Sequence, residues 1–576
     1  MTLSPEPEPV VIGDPAADPA VETPVRKSSG LIRNSLITSG FTLISKFSGG
    51  ARDLVIAAYL GASGNPLADA YNTAQQFPNL FRRIFAEGAF AAAFVPSYSA
   101  ALERDGQKAA DKLAHDAMAT LAFMTLVLTL ICELSMPWIM IVLKPGFVAD
   151  PEKFKMTVLF TQLTMPYLPC MAIVAHLSGV LNARGRFVVS SAVQMLLNLV
   201  TLAFILPQHT PHDSAVWGSI GTLVAGGIQA GFLFWGVKKS GAHVGFSVMP
   251  VFTPYIRRLL LLAVPGALAA AATQVNIFIS QNFSSSIPGA TSWLTYADRF
   301  YQLPLGLVGV AIGTSLLPAL SRAVHAKDTQ HAQETMDQAI VMSMALSLPA
   351  AVALISIPFF LVDGLYTRAG FHVYDSMQTA RCLFWYGWGV LAFVLTRILN
   401  PAFFARKDTF GPMKFAVVSV AVNLVVGVSL FHGYALSDGT VILPRLGAAG
   451  LAAGTAAAAW VNVLLMVVTL ALRKTWIIGR KAFAGLLKLL VASAGMAAFC
   501  AYASYIRPVL EAAIGSVLPV VHGVHAVGLF GHRALGTKEI AIVGVCFAGV
   551  FLYIALLFVT GAVKASELKA LLKRGR

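Results

Sequence analysis

Long apolar runs separated by short polar segments recur along the whole chain of 576 residues. Each run is close to the ~20 residues that an α-helix needs to cross the hydrocarbon core of a bilayer. The first two runs are longer and are interrupted, by Gly49 and Gly50 and by Pro78. The pattern predicts fourteen membrane spans, at residues 31–60, 69–100, 117–143, 156–181, 187–207, 215–237, 255–283, 291–320, 337–362, 378–404, 412–432, 446–472, 482–506 and 539–563.

The composition agrees with this pattern. Hydrophobic residues make up 57% of the chain and charged residues 12%, and the mean hydropathy is +0.72. An ordinary soluble domain carries roughly 25% charged residues. We therefore expect an all-α integral membrane protein with about fourteen transmembrane helices.

The lysines and arginines predict the orientation. The termini and the loops after even-numbered spans hold 26 of the 42 basic residues, whereas the loops after odd-numbered spans hold nine. Positively charged loops stay in the cytoplasm, so both termini are predicted to be cytoplasmic. The net charge of +15 reflects this asymmetry and attraction to anionic headgroups, and no nucleic acid partner is expected. Residues 1–30 are proline-rich and acidic, which predicts a disordered cytoplasmic tail.

A motif near the start of the chain returns in the second half. ADAYNTAQQFPNLFRRIFAEGAFAAAFVPSYSA at 68–100 resembles ADRFYQLPLGLVGVAIGTSLLPALSRA at 297–323, and NARGRF at 182–187 resembles FARKDTF at 404–410. The offsets of 226 and 222 residues span six helices, which indicates a parallel duplication with substrate between the halves, although apolar helices also resemble one another by composition alone. The predicted parts are an N-lobe (31–240, spans 1–6), a C-lobe (250–475, spans 7–12) and spans 13–14 with a basic cytoplasmic C-terminus (480–576).

Ionisable residues inside the predicted spans are the strongest functional signal. A charge at the bilayer centre costs about 2.5–3.5 kcal/mol on insertion scales, so such residues normally face the bundle interior or a cavity. Cations outnumber acids here, which predicts a cationic cavity and an anionic substrate. Arginine suits phosphate because its planar fork donates two parallel hydrogen bonds. The candidates are Lys46, Arg52, Arg82, Arg83 and Arg299 among the cations and Asp53, Asp69, Glu87 and Asp298 among the acids.

Local spacing bears on how these charges pair. Arg83 and Glu87 lie four residues apart on one helix, so they either form a structural ion pair or contact substrate. Arg52 and Arg299 each neighbour an aspartate in the sequence, but adjacent side chains on a helix diverge. We therefore expect their partners elsewhere in the fold, with Asp69 as one candidate.

Motifs for other functions do not occur in the sequence. There is no GxxxxGK[ST] phosphate loop, no HExxH and no GxSxG, so an enzyme is not expected. The five cysteines lie in or beside apolar runs and form no CxxC pair, which predicts neither a disulfide framework nor a zinc site. Close helix packing is predicted at three pairs of small residues, Gly227/Gly231, Gly309/Gly313 and Gly450/Gly454.

Four segments resemble the MurJ (MviN) family of lipid II flippases. The FPNLFRRIFAEGAF core of the second segment is highly specific, and the resemblance extends from about residue 31 to 570. It implies the multidrug/oligosaccharidyl-lipid/polysaccharide exporter fold, with two pseudo-symmetric six-helix lobes around a central cavity and two extra C-terminal helices. The segments are SKFSGGARD (45–53), DAYNTAQQFPNLFRRIFAEGAFAAAFVPSYS (69–99), YADRFYQLPLGLVGVAIGTSLLPALS (296–321) and NPAFFARKDTFGPMK (400–414).

The resemblance also implies a function and site residues. The implied activity moves lipid II, the undecaprenyl-pyrophosphate-linked peptidoglycan precursor, from the cytoplasmic to the periplasmic leaflet of a bacterial inner membrane by alternating access. Arg52, Arg82 and Arg299 match family arginines to which contact with the pyrophosphate and headgroup is attributed, and Asp69 matches a family acid. Lipid II and membrane lipids are then the expected partners, with cell-wall synthesis proteins as a further class.

Two features depart from the family pattern. The family motif usually begins Ser-Arg, whereas this chain has Ser45 and Lys46, which keeps the charge and loses the fork. Some members hold sodium with carboxylates between spans 7 and 11, where this chain offers Gln274, Asn276 and Asn423. We therefore expect no metal and no cofactor, and transport driven by the membrane potential.

Two other functions fit the same residues. A flippase for another polyprenyl-linked oligosaccharide would grip pyrophosphate in the same way. A non-transporting scaffold for cell-wall synthases would depend on the cytoplasmic loops, and its cavity arginines would be dispensable.

Overall fold

The computed structural model describes residues 28–562 apart from 83–89, 246, 248, 255, 258, 262–273, 275–276, 314–315, 407, 409, 436–440, 519, 522–523 and 530–532. Its apolar stretches are α-helical, because a helix satisfies the backbone N–H and C=O groups within its own segment, as lipid requires.

The first half of the described chain consists of α-helices and one short 3₁₀ helix. Several helix starts are fixed by side chains: the carboxylate of Asp150 accepts from the backbone N–H of Lys153, and the hydroxyl of Thr210 accepts from that of Asp213. The elements are α1 (Ser28–Leu60), α2 (Pro66–Arg82), α3 (Phe90–Arg104), α4 (Gly106–Leu143), the 3₁₀ helix Pro145–Ala149, α5 (Pro151–Thr164), α6 (Tyr167–Ala183), α7 (Phe187–Ile205) and α8 (Pro211–Lys239).

The second half continues with helices and five short strands. β1 pairs antiparallel with β2, and β3, β4 and β5 form an antiparallel sheet in that order. The helices are α9 (Ala290–Gly313), α10 (Leu316–His325), α11 (Thr329–Ser356), α12 (Pro358–Tyr366), α13 (Val373–Phe404), α14 (Phe410–His432), α15 (Ala448–Leu472), α16 (Arg480–Tyr505), α17 (Arg507–Val517) and α18 (Thr537–Val559). The strands are β1 (Tyr434–Ala435), β2 (Val441–Leu443), β3 (Val520–Val521), β4 (Val524–Leu529) and β5 (Arg533–Gly536).

Ten helical stretches of the described chain are long and apolar enough to cross a membrane. The predicted all-α membrane fold is confirmed. The number of fourteen spans stays a prediction, because most of the predicted span 255–283 lies outside the described residues. The acidic tail also lies outside them, apart from its last residues.

The interruptions predicted in the first two spans are wrong at the level of helical structure. α1 runs through Gly49 and Gly50, and α2 runs through Pro78. Proline lacks the N–H that would bond to the carbonyl of Ala74 one turn earlier, and the hydroxyl of Thr164 donates to that carbonyl at 2.9 Å instead. A hydroxyl from a neighbouring helix therefore keeps α2 intact at its proline.

Buried apolar side chains form separate clusters in the two halves. One cluster joins α3, α4, α6, α7 and α8, and another joins α10, α11, α13, α15 and α16. A third connects the end of α1 with α9, α12 and the C-terminal helices. Below, α1–α8 are called the N-lobe and α9–α15, with the preceding helical residues 277–284, the C-lobe; the exact lobe boundaries stay a prediction.

The predicted glycine pairs differ in how closely neighbouring helices pack against them. A Cβ at Gly454 would lie 2.5 Å from the Cα of Gly427, so α14 and α15 touch through their backbones and close packing at Gly450/Gly454 is confirmed. A Cβ at Gly227 or Gly231 would meet no atom within 4 Å. The packing predicted there is wrong, because that face of α8 points away from its neighbours.

Candidate substrate-binding site between the lobes

Arg52, Asp53 and Arg299 meet where α1 of the N-lobe faces α9 of the C-lobe. Nη2 and Nε of Arg52 donate to Oδ1 of Asp53 at 2.8 and 3.1 Å. Nε of Arg299 lies 2.7 Å from Oδ2 of the same carboxylate, an ion pair without hydrogen-bond geometry. One acid therefore serves two arginines from two lobes.

These contacts correct the pairing expected from the sequence. Arg52 does bond to its neighbour Asp53, because the long arginine side chain folds back along the helix surface. Arg299 also uses Asp53, and Asp298 accepts a hydrogen bond from the side-chain amide of Gln302 instead. The divergence of adjacent side chains argues against Asp53 as a partner, yet Asp53 is the acid at the centre of the cluster.

The cluster keeps an excess of positive charge. The side chains of Arg299 and Arg52 are 36% and 15% exposed, whereas that of Asp53 is 7% exposed, so a ligand reaches the guanidinium groups more easily than the acid. Lys46, two turns earlier on α1, donates to the carbonyl of Gln302 at 3.4 Å. The cations Lys46, Arg52 and Arg299, with Arg397 close enough for its charge to act on Lys46, outnumber Asp53 and Asp298, and this excess attracts an anion.

Three other predicted site residues cannot be placed against this cluster. Arg82 is the last residue of α2, and its side chain lies outside the described part of the structure. Arg83 and Glu87 lie wholly outside the described residues. Their predicted roles stay predictions.

Asp69 does not pair with Arg52 or Arg299, the two site arginines whose side chains are described, which corrects the partner suggested for them. It is fully buried at the start of α2, and its carboxylate accepts from Nζ of Lys153 at 2.6 Å. It also accepts from the backbone N–H groups of Gly289 and Ser292 at 2.8 and 3.0 Å and from the hydroxyl of Ser292 at 2.7 Å. Asp69 thus caps the first turn of α9 from the opposite lobe.

Further contacts join the lobes at the same end of the molecule, where α1 and α4 end and α2, α5 and α9 begin. We call this the closed end; the charge asymmetry predicts that it is periplasmic. The contacts include Lys144 with Ser284 and Thr291, Gly146 with Ser285, Ser63 with Asp375, Asn72 with Ser292, Gln76 with Thr295 and Gly370 with Ala58.

Arg52 and Arg299 lie deeper than the closed end. Each is eight or nine residues from the nearest end of its helix, or about 12–14 Å at a rise of 1.5 Å per residue. The site therefore lies about 12–14 Å from the inter-lobe hydrogen bonds that seal the closed end.

The described residues contain no group of three histidine, cysteine, aspartate or glutamate side chains placed to hold a metal ion. Of the amides considered for sodium, Gln274 and Asn423 are buried and Asn276 lies outside the described residues.

Comparison with known proteins identifies the family. The family model "Lipid II flippase MurJ" matches residues 56–523. This chain belongs to the MurJ family. A probable lipid II flippase MurJ from Rhizobium meliloti (strain 1021) is 36% identical over 550 residues, covering 95% of this chain and 97% of the relative. The lipid II flippase MurJ of Burkholderia cenocepacia is 33% identical over 445 residues, covering 76% and 83%.

Solved structures show the same fold. A lipid II flippase MurJ in an inward closed conformation matches with a TM-score of 0.68 at 21% identity, over 91% of this chain and 98% of that one. An inward-facing multidrug resistance MATE family transporter of the MOP superfamily matches with a TM-score of 0.60 at 13% identity, over 76% and 98%. The exporter-superfamily fold implied by the sequence is therefore confirmed.

Some polar residues of this MurJ family member were not singled out from the sequence. Lys144 and Lys153 lie in a predicted periplasmic loop, where lysines are ordinarily exposed, yet both are buried. Asp375 is also fully buried and accepts from the backbone N–H of Ser63 at 3.0 Å and from Nε1 of Trp293 at 2.9 Å. Their burial follows from contacts between helices and, for Lys144 and Asp375, between the lobes, which no local sequence pattern reveals.

Proposed function

We propose that this protein is a lipid II flippase that moves the undecaprenyl-pyrophosphate-linked peptidoglycan precursor across a bacterial inner membrane by alternating access. Membership of the MurJ family supports the substrate. The observation that supports this binding site is the pair of arginines from two lobes that converge on Asp53. More cationic than acidic groups surround them. A diphosphate offers several oxygens to guanidinium forks at once.

The pyrophosphate enters while the closed end is sealed. It binds the donors of Arg52 and Arg299 that Asp53 leaves unused, and it competes with that carboxylate for the rest. Because the two arginines belong to different lobes, a bound diphosphate bridges α1 and α9. Rocking of the lobes then opens the closed end and exposes the headgroup on the other side.

The polyprenyl tail stays in lipid throughout the cycle. Moving it into water would cost about 0.8 kcal/mol for each methylene. The membrane potential supplies the driving force, since each negative charge that leaves an inside-negative cell gains about 2.3 kcal/mol per 100 mV. The termini face the cytoplasm in this proposal, and the cytoplasmic loops are the surfaces available to cell-wall synthesis proteins.

Complementation tests the proposal. In a strain depleted of its own flippase, Arg299→Ala and Arg82→Ala are expected to reach the membrane normally and to fail to restore growth. Arg257→Ala, an exposed arginine in the connection between the lobes, is the matched control and should restore it. Normal growth with Arg299→Ala would contradict the proposal and favour the scaffold reading.

A second readout separates the two transport readings. Depletion should make lipid II inaccessible from the periplasmic face, and wild-type protein should restore access. Accumulation of a different polyprenyl-linked oligosaccharide, with lipid II unaffected, would assign the same site to that lipid.

A further inference from the structure

Lys144 is a buried lysine whose hydrogen bonds, within the described part of the chain, all go to neutral groups. It follows the last residue of α4, outside the span Gly106–Leu143, and none of its surface is exposed. Its ammonium donates to the C-lobe, to Oγ1 of Thr291 at 2.8 Å, to Oγ of Ser284 at 3.3 Å and to Oε1 of Gln281. Lys144 therefore loses all of these partners when the lobes separate.

The charged groups that face Lys144 are already paired. Asp69 on α2 and Lys153 on α5 form an ion pair at 2.6 Å, and Asp69 is further occupied by donors from α9. Both lysines lie beside the buried ring of Phe147, with their Nζ atoms 5.4 and 4.2 Å from its centroid. A protonated Lys144 thus adds one uncompensated charge to a buried interface, which is costly unless the group becomes neutral.

The surroundings of Lys144 suit either protonation state. Oγ of Ser284 and Oγ1 of Thr291 lie 3.1 Å apart, and a hydroxyl both donates and accepts. A neutral amine accepts from one hydroxyl and donates to the remaining oxygens, so the network stays satisfied. Burial lowers the pKa of Lys144 to about 7, with Asp69 opposing the shift and Lys153 adding to it. An exposed lysine titrates near 10.4.

We propose that Lys144 is a proton-binding site linked to lobe movement, which takes up a proton when the lobes separate at the closed end and releases it when they meet there. The proposal rests on alternating access in the proposed function and is independent of which lipid is carried. The closed state binds fewer protons than the open state, so a rise in pH from about 7 towards 10 favours closure, by up to tenfold in the closed-to-open ratio per pH unit. Below about pH 7 both states are protonated and the ratio no longer changes with pH.

Distance measurements test the proposal on the whole protein in lipid nanodiscs without lipid II. Spin labels at the exposed positions His209 and Val373, one on each lobe at the closed end, report the closed-to-open ratio by double electron–electron resonance between pH 5.5 and 10. In the wild type the ratio should rise with pH. Lys144→Met should make it independent of pH. Lys155→Met, an exposed lysine on α5, is the matched control and should keep the wild-type slope.

A second variant keeps the test decisive. Lys144→Arg stays protonated across this pH range, so its ratio should be flat and shifted towards the open state. A wild-type ratio that does not change with pH overturns the proposal, as does a wild-type slope in either Lys144 variant. Failure of the wild-type protein to restore lipid II access in depleted cells, with an intact pH response in nanodiscs, would refute the proposed function and leave the proton site standing.

Discussion

Replacing Gly146 with alanine tests whether the closed end separates during transport. A Cβ at this residue would lie 2.5 Å from the carbonyl carbon of Ser285 and 2.7 Å from the backbone nitrogen of Ser286. Both atoms belong to the backbone of the opposite lobe, so no side chain can swing aside. Carbon atoms in contact prefer separations of about 3.5–4.0 Å, so the two backbones must part by about 1 Å.

This clash arises only when the lobes meet. Overpacking costs about 1–3 kcal/mol, which lowers the closed-to-open ratio roughly 5- to 150-fold. The label pair at His209 and Val373 measures this ratio directly. Gly227→Ala is the matched control, because a Cβ there meets no atom within 4 Å. An unchanged distance distribution for Gly146→Ala, or an equal shift for Gly227→Ala, would refute the reasoning.

Three further substitutions or conditions test other contacts. Asp69→Asn leaves the buried ammonium of Lys153 without its carboxylate, which costs about 3–5 kcal/mol of stability. The melting temperature should therefore fall and the open population should grow. Asp53→Asn removes the acid shared by two arginines, so calorimetry should detect several-fold tighter binding of a soluble pyrophosphate analogue. Burial raises the pKa of Asp363, but the hydrogen bonds from Arg507 and Thr367 and the positive charges of Arg507 and Lys538 together outweigh burial and hold the pKa below the ordinary value. The bond between α12 and α17 is therefore present above about pH 4 and is lost as the pH falls through that lowered pKa, which hydrogen exchange in α17 would report.

The fold could be predicted from the sequence because each membrane span is a long run of apolar residues. A run of ~20 apolar residues can be recognised even when its ends are uncertain. The charge of the loops between runs then predicts the orientation of the chain in the membrane. Helix breaks were harder to predict. Pro78 removes one backbone donor, and whether the helix continues depends on Thr164 of another helix, which no local pattern reveals.

Only part of the candidate site could be predicted from the sequence. Arg52 and Arg299 stand out because charged residues are costly within a span, and the structure brings them together across two lobes. Their shared acid was missed for a geometric reason. The divergence of adjacent side chains holds for short residues, but an arginine is long enough to turn back to Asp53. Lys144 was missed because its sequence position is that of an ordinary loop lysine.

Two N-lobe carboxylates in the described part of the chain, Asp53 and Asp69, contact the C-lobe, and in the proposed mechanism they link binding to movement. Asp69 accepts from Gly289 and Ser292 at the aqueous end of the interface, where water can replace these donors once the lobes part. Asp53 lies deeper, and its partner across the interface is the charge of Arg299. An anion that binds Arg299 competes with Asp53 for that charge and so weakens the deeper attraction between the lobes. Among the described residues, opening then has to release the bond from Lys46 to Gln302 and the contacts at the closed end, which include the capping of α9 by Asp69, the bond from Ser63 to Asp375 and the bonds of one titratable lysine.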